Sequence, residues 1–302
     1  MKNNKLVYDG YGDRLDVYIK TKYTEFSREF IKNLIAMGNV TVNSLKAKPS
    51  LKLKYGDEIT ISFSDSESRS YFSLKKITIY EDDDILVINK PSGLLVHPTD
   101  DNWIRDFKAL EFSKNTLVWL LHEEKKLSDV DGLVRLGLVH RLDMETSGVM
   151  VIAKNAISQK KLIEEFNTRT VTKNYRAVAD GVISDEFMRI DAPIGRFSGS
   201  KRYSVMEYGR DAITEIRIIK TGSKNTYLEV FPKTGRTNQI RAHLAFIGHP
   251  VIGDRIYSKS NFERLMLHSY KISLSHPSSG KAVEFVADID SEFKKMLTLL
   301  LK

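Results

Sequence analysis

Gly137 to Lys154 reads GLVHRLDMETSGVMVIAK, and the reading of this stretch decides how the rest of the chain is understood. It places Arg141, Asp143, Thr146, Ser147 and Gly148 close together and then runs unbroken through the apolar Val149 to Ala153. A short, largely β-branched apolar run after a glycine predicts a buried strand. An ionised carboxylate beside such a strand is costly unless it is paired or used. Asp143, flanked by apolar segments on both sides, is therefore expected at the lip of a core, facing a site. Taken alone, the same residue is equally a structural ion-pair partner for a core arginine.

Outward from this stretch, strand-like runs cover Lys76–Tyr80, Ile85–Asn89, Leu133–Val139, Tyr175–Ala179, Thr214–Lys220, Thr226–Phe231, Leu265–Ser275 and Ala282–Val286. Helical spacing is seen in Ser158–Phe166, where Leu162, Ile163 and Phe166 share a stripe, and in Asn238–Ile247. Strands dominate, which predicts an α+β domain around a mixed, mostly antiparallel sheet. Asp100–Lys114 reads as a loop and Asn115–His122 as a helix. Nearer the N-terminus, Arg14–Ile19 and Phe26–Ile35 read as helices, the second capped by Ser27. Gly38-Asn39 stops it, and Val40–Val42 and Ile59–Phe63 alternate as strands. The serine-rich SDSESRSYFS at 64–73 reads as a linker. The expected organisation is a small α/β domain at 1–63, a linker at 64–74 and a larger domain at 75–302.

The chain has 302 residues, with 47 Lys+Arg against 39 Asp+Glu, a formal charge of +8. Residues 1–76 carry most of that excess. A basic surplus favours a polyanionic partner such as nucleic acid, although a merely basic enzyme has the same sum. The absence of cysteine excludes disulfides, thiolate metal sites and a thiol nucleophile. No apolar leader and no apolar stretch near 18 residues is present, so a cytoplasmic protein without a membrane span is expected.

Reactive groups gather at Asn89–Gly93, His140–Gly148, Lys173–Arg176 and Lys233–Arg241. Together they offer one carboxylate, one phenol and several guanidiniums. The set lacks the paired carboxylates of a glycosidase and any phosphate-cradling glycine loop. His140, Asp143, His243, His249 and His268 show no tight ligand spacing, so no metal is expected. His243 and His268 read as core or supporting groups. By itself Tyr175 is one more strand aromatic, and Arg236 with Arg241 is a basic face.

At these four places, and at a fifth stretch over 265–277, the chain resembles the RluA-type family of pseudouridine synthases. HRLDMETSG at 140–148 resembles the family's catalytic motif, and ILVINKPSGLLVHP at 85–98 its opening strand and loop. KNYRAVADG at 173–181, TGRTNQIRAHLAFIGHPVIGDRIY at 234–257 and LMLHSYKISLSHP at 265–277 resemble the remaining motifs, in order. The N-terminal unit is similar to the S4-like RNA-binding domain through Arg14-Leu15-Asp16, Ser27-Arg28, Gly38–Asn43 and Gly56–Ile59. The family usually has His at Asn238, Pro at Leu136 and often Lys at Met144, and Asp143, Tyr175 and Arg241 are unchanged.

The resemblance implies isomerisation of uridine in RNA to its C-glycoside, with no cofactor. Asp143 is the implied essential carboxylate, attacking C1′ or removing the ribose 2′ proton. Arg241 is implied as its paired cation, with Arg236 the second candidate, and Tyr175 as the group stacked on the uracil. Arg141 would fill the space left by the flipped nucleotide and Leu267 would pack on the base. His140, Arg236 and Asn238 complete the implied substrate contacts, and Arg14, Ser27, Arg28, Lys32 and Asn43 the implied RNA contacts of the first domain. Large-subunit ribosomal RNA is the expected partner, with tRNA as the alternative and a non-catalytic assembly factor as the further one. A monomer is expected.

Overall fold

In the computed structural model the chain divides into two compact units, residues 1–73 with 97–128, and residues 74–96 with 129–302. The structure describes residues 2–23, 31–32, 34–35, 38–63, 72–98, 102–105, 107, 110, 113–114, 116–125, 127, 130–197, 199, 202–260, 262 and 264–302. Ser27, Arg28 and residues 64–71 of the expected linker lie outside that set.

The first unit holds β1 (Lys2–Val7), α1 (Leu15–Lys22), β2 (Val40–Val42), β3 (Leu45–Lys46) and β4 (Glu58–Phe63), its strands antiparallel in the order β1-β4-β2-β3. Leu15, Tyr18 and Ile19 fall on one face of α1 at helical spacing. They pack with Ile31, Leu34, Ile35, Val40, Ile59 and Ile61 into the unit's core. Asn43 takes a positive φ of 50° in the β2–β3 turn. Its amide donates to Asp57 Oδ1 at 2.8 Å and its carbonyl accepts the Glu58 N–H at 2.9 Å. Arg14 is paired at 2.9 Å with the buried Asp16, and Lys32 is half-buried. The expected loop at 100–114 contains a helical turn, Asn102–Arg105, with Trp103 buried, and is followed by α2 (Leu117–Lys125).

The second unit is built on a sheet in the order β5-β6-β7-β14-β8-β13-β12-β9. Its strands are β5 (Thr78–Glu81), β6 (Ile85–Lys90), β7 (Ser147–Ala153), β8 (Thr172–Asp180), β9 (Phe187–Asp191), β12 (Ile213–Thr221), β13 (Asn225–Pro232) and β14 (Leu267–Ser275). Between β9 and β12 lies a small hairpin of β10 (Ile194–Gly195) and β11 (Ser204–Val205). All described pairings in the sheet are antiparallel except β7 with β14. The first residues of β14 border β7, and its later residues pair instead with β15 (Ala282–Val286). Gly148, at φ 116°, sits where β7 meets β14; a Cβ there would stand 2.2 Å from the Ser269 carbonyl oxygen. Only glycine permits that approach.

β7 is buried at every residue, as its apolar run requires, and packs with Ile85, Val87, Ile272 and Leu274. Leu162 of α3 (Ala156–Thr168) closes this core. A second core joins Ala177, Ile216, Leu228 and Val230 of the sheet to Ile240 and Leu244 of α4 (Gln239–Phe246) and to Phe293 and Leu300 of α5 (Ser291–Leu300). Asn155 caps α3 by accepting the Ser158 N–H, and Asp290 caps α5 by accepting the Phe293 N–H, both at 2.8 Å.

Leu133–Val139 is not the expected strand. It forms a turn of 3₁₀ helix at Arg135–Gly137, with Arg135 and Leu136 both at φ 52°. The cause is crowding against β7, since a Cβ on Gly137 would lie 1.9 Å from the Ala153 carbonyl oxygen. Of the segment's side chains Leu136 is buried by this close crossing while Val134 is exposed, and pairing with β7 is limited to an isolated antiparallel bridge from Leu138 to Ile152. β1, β9, the β10–β11 hairpin and α5 had no counterpart in the expected elements. No helix among the described residues is long and apolar enough to cross a membrane.

Candidate active site

β7, β14 and β8 are neighbours in the sheet, and the chain brings one functional segment to each. The turn Asp143–Thr146 leads into β7, Leu267 opens β14 and Tyr175 lies on β8. With the loop before α4 they line a cavity of about 430 Å³ that includes His140, Arg141, Leu142, Asp143, Tyr175, Arg236, Asn238, Arg241 and Leu267. Every substrate-contact residue expected in this unit therefore faces one opening.

The Asp143 turn is closed by the Thr146 N–H donating to the Asp143 carbonyl at 3.1 Å. Its remaining carbonyls are gripped by the Asn89–Gly93 segment. Lys90 Nζ donates to the Met144 carbonyl at 3.0 Å, the Gly93 N–H to the same carbonyl at 2.9 Å, and Ser92 Oγ to the Glu145 carbonyl at 2.8 Å. Lys90 is fully buried, and its other two bonds go to the carbonyls of Pro91 and Leu94. Three donors thus meet three acceptors. Burial pulls this ammonium down to about 7, and the charge of Asp143 opposes that pull. Sequence alone quoted Lys90 within its motif and gave it no place.

Arg241 is the guanidinium that reaches Asp143, Nη1 donating to Oδ2 at 2.9 Å. Its orientation is set from behind by Asp254, which is fully buried and accepts from Nε at 2.6 Å and Nη2 at 2.8 Å. Asp254 Oδ1 also accepts the N–H groups of Ile256 and Tyr257, at 2.9 and 3.1 Å. Burial works against the Arg241 charge, but the bonds from Asp254 and the charges of Asp254 and Asp143 outweigh it and raise the pKa. Asp254 was missed by the sequence reading, although it lies within the motif at 234–257. Asn238 sits at φ 54°, a conformation asparagine tolerates, and its Oδ1 accepts from Arg241 Nη1 at 3.2 Å.

The loop before α4 is fixed by the buried Gln239. Its Oε1 accepts from Thr234 Oγ1 at 2.6 Å and from the Arg236 N–H at 3.0 Å, and its Nε2 donates to the Ile213 carbonyl at 2.9 Å. Arg236 does not reach Asp143 in any described contact; its Nε donates to the Asp211 carbonyl at 2.9 Å.

Tyr175 is half-buried. Burial pushes its phenol up to about 12, with the Ser269 side chain offsetting part of the rise and the Asp143 charge adding to it. The phenol is neutral across the physiological range, so it is not a resting base. His140 is stacked on Phe166 with ring centroids 4.7 Å apart, and its Nε2 accepts the Val151 N–H at 2.9 Å. Burial and the Lys173 charge pull its pKa down to about 3. It is a neutral ring that braces β7 while lining the cavity.

His243 and His268 are buried and bonded on both ring nitrogens, the first to Thr214 and Ala192, the second to Ser147 and Ala287. Neither lines the cavity. Among the described residues, Asp82, Asp84 and His276 group as metal ligands would. The Asp82 oxygens accept from Tyr80, His276 and two backbone N–H groups, so the cluster reads as a hydrogen-bonded turn.

A sequence model of the family described as RNA pseudouridylate synthase matches residues 84–246. The chain is 37% identical to an uncharacterized RNA pseudouridine synthase of Aquifex aeolicus, over 97% of this chain and 95% of the relative. It is 34% identical to a protein of Neisseria meningitidis serogroup B named ribosomal large subunit pseudouridine synthase D, over 96% of this chain and 79% of that one. Among solved structures, human RNA pseudouridylate synthase domain containing 4 shares the fold. The TM-score is 0.59 at 24% identity, covering 75% of this chain and 94% of that one.

Proposed function

The chain belongs to the RNA pseudouridylate synthase family, and from that premise we propose that it isomerises uridines of large-subunit ribosomal RNA with Asp143 as the reacting carboxylate. The observation that carries the reading is the chain of contacts Asp254–Arg241–Asp143, which ends at a half-buried carboxylate in a cavity beside Tyr175. The ribosomal substrate is supported by the name of the Neisseria relative, and by a first unit whose sequence resembles an RNA-binding domain. Residues 1–63 are accordingly assigned the role of gripping RNA, and 75–302 that of catalysis.

The reaction breaks N1–C1′ of uridine, turns the uracil and forms C5–C1′; a proton leaves C5 and N1 gains one. The target base must leave its stack to enter the cavity, at a cost of a few kcal/mol. Arg141 is exposed at the cavity wall and would occupy the vacated place with its planar guanidinium. Tyr175 and the buried Leu267 would hold the flipped uracil between a ring and an aliphatic face. Asp143, oriented by Arg241, meets the ribose, whether at C1′ as nucleophile or at the 2′ proton. Burial keeps the Tyr175 phenol protonated, so Asp143, the one carboxylate among the described residues that line the cavity, is assigned as the acceptor for the C5 proton.

Tritium release from ribosomal and transfer RNA transcribed with 5-³H-uridine tests this. The wild type should release tritium from ribosomal RNA, and Asp143→Asn should lower the rate at least about a thousandfold while still binding. Substantial release by Asp143→Asn would remove Asp143 from the chemistry. Release from transfer RNA alone would move the substrate.

A further inference from the structure

The cavity wall is electrostatically lopsided. Among the described residues, Arg141, Arg169, Lys173, Lys233, Arg236 and Arg241 line it, against the single carboxylate Asp143. Arg241 is committed to Asp143 and Asp254, and Lys233 pairs with Glu215 at 2.8 Å. Arg236 gives its Nε to a backbone carbonyl. The side chains of Arg169 and Lys173 have no hydrogen-bond or ion-pair partner among the described residues.

Three features set Arg169, Lys173 and Arg236 apart from a solvated basic face. Arg169 ends α3 in the left-handed region, at φ 62° and ψ 27°. Glycine or asparagine suits that position, and arginine holds it at a cost in stability. Lys173 precedes Tyr175 by two residues on β8, so both side chains leave the same face of the strand about 7 Å apart. That is the order of the distance between a nucleobase and its own phosphate. Lys173 also reaches toward the loop that carries Arg236: its Nζ lies 4.0 Å from where a Cβ at Gly235 would stand. The like charges act on one another. Burial and Arg169 lower the Lys173 pKa, and burial, Arg210 and Arg169 lower that of Arg236. A wall that crowds more cations than its carboxylate can answer leaves the remaining counter-charge to the ligand.

We propose that Arg169, Lys173 and Arg236 form a seat for an RNA backbone phosphate of the flipped nucleotide, with the base stacked on Tyr175. This rests on the reading of the cavity as a pseudouridine synthase site. The seat fixes the nucleotide by its phosphate while Asp143 addresses the ribose. It works through charge and takes no part in the bond changes.

The test compares full-length Arg169→Gly, Lys173→Met and Lys173→Arg with wild type. RNA affinity is measured across salt concentrations, together with the rate of pseudouridine formation against RNA concentration. Arg169→Gly should raise Tm, because glycine relaxes the left-handed position, and yet bind RNA about tenfold more weakly. The slope of log K against log salt should flatten by about 0.7 to 1 for each lost phosphate contact. Lys173→Met should do the same, with the loss larger in KM than in kcat, and Lys173→Arg should restore the slope. A more stable protein that binds less cannot be explained by misfolding, so Arg169→Gly decides the matter even if Lys173→Met folds poorly. Unchanged salt slopes in both neutral variants, with wild type active, would overturn the seat. A wild type that binds RNA and makes no pseudouridine would instead overturn the parent reading.

Discussion

Arg241 and Arg264 are buried alike, with 6% of each side chain reaching solvent, and each is held through two of its nitrogens by an aspartate. Their surroundings differ. Asp254, behind Arg241, is wholly out of water and is itself fixed by two backbone N–H groups. Asp290, which holds Arg264, is 42% exposed and also caps α5, and Glu292, the other acid on Arg264, is 65% exposed. The free end of Arg241 points at Asp143 and the cavity. Arg264 has no such end: Nη2, already on Asp290, also donates to the Ser147 hydroxyl at 3.2 Å, which His268 also binds, and the buried Nε has no hydrogen-bond partner among the described residues. A pair taken fully out of water is costly to desolvate and holds one direction firmly. A pair with its acids in water is a staple of modest strength. The fully buried arrangement stands behind Asp143, the carboxylate proposed to react.

The comparison is easiest to break at Asp254. Asp254→Ala leaves a buried guanidinium without its main partner and should cost about 3–5 kcal/mol in urea denaturation. Pseudouridine formation should collapse with it, because Asp143 loses its oriented cation. An effect as mild as that of the corresponding change at Asp290 would abolish the distinction. Asp290→Ala removes an N-cap and a half-solvated pair, and should cost about 1–2 kcal/mol by the same denaturation, with the reaction rate close to wild type.

A smaller effect sharpens the contrast through pH. Burial pushes the Asp290 carboxyl up, but the Arg264 and Phe293 hydrogen bonds and the Arg264 charge outweigh it and hold its pKa below the ordinary value. The folded chain therefore binds fewer protons here than the unfolded chain. The associated stability is present above the ordinary carboxylate range, near pH 4, and is lost as pH falls through the lower folded value. Urea midpoints measured at pH 5 and pH 3 should fall further in wild type than in Asp290→Asn.

The sequence made some parts of this legible for a physical reason. Asp143, Tyr175 and Arg241 each lie in a short segment whose neighbours supply the local structure, an apolar strand or a helix of clear periodicity. Asp254 could not be read that way, since its meaning depends on Arg241, thirteen residues earlier and one helix away. Lys90 likewise looks like a surface lysine in a loop until Met144, far along the chain, supplies an acceptor. Leu133–Val139 has the composition of a strand, and only the close crossing at Gly137 shows that it passes over β7 as a turn, with Leu136 buried and Val134 exposed. β9 was invisible because its five residues bury only Ile190.

The place of β14 in the sheet bears on synthesis as well as on chemistry. This strand lies between β7 and β8, joining β5-β6-β7 to β8-β13-β12-β9, yet it is drawn from residues 267–275, downstream of every other described segment that lines the cavity. A ribosome making this protein releases the other segments that line the cavity before the strand that unites them. Those segments must wait with open edges, which makes assembly non-local and exposed to mispairing. The cavity is thus complete only once residues 267–275 have emerged.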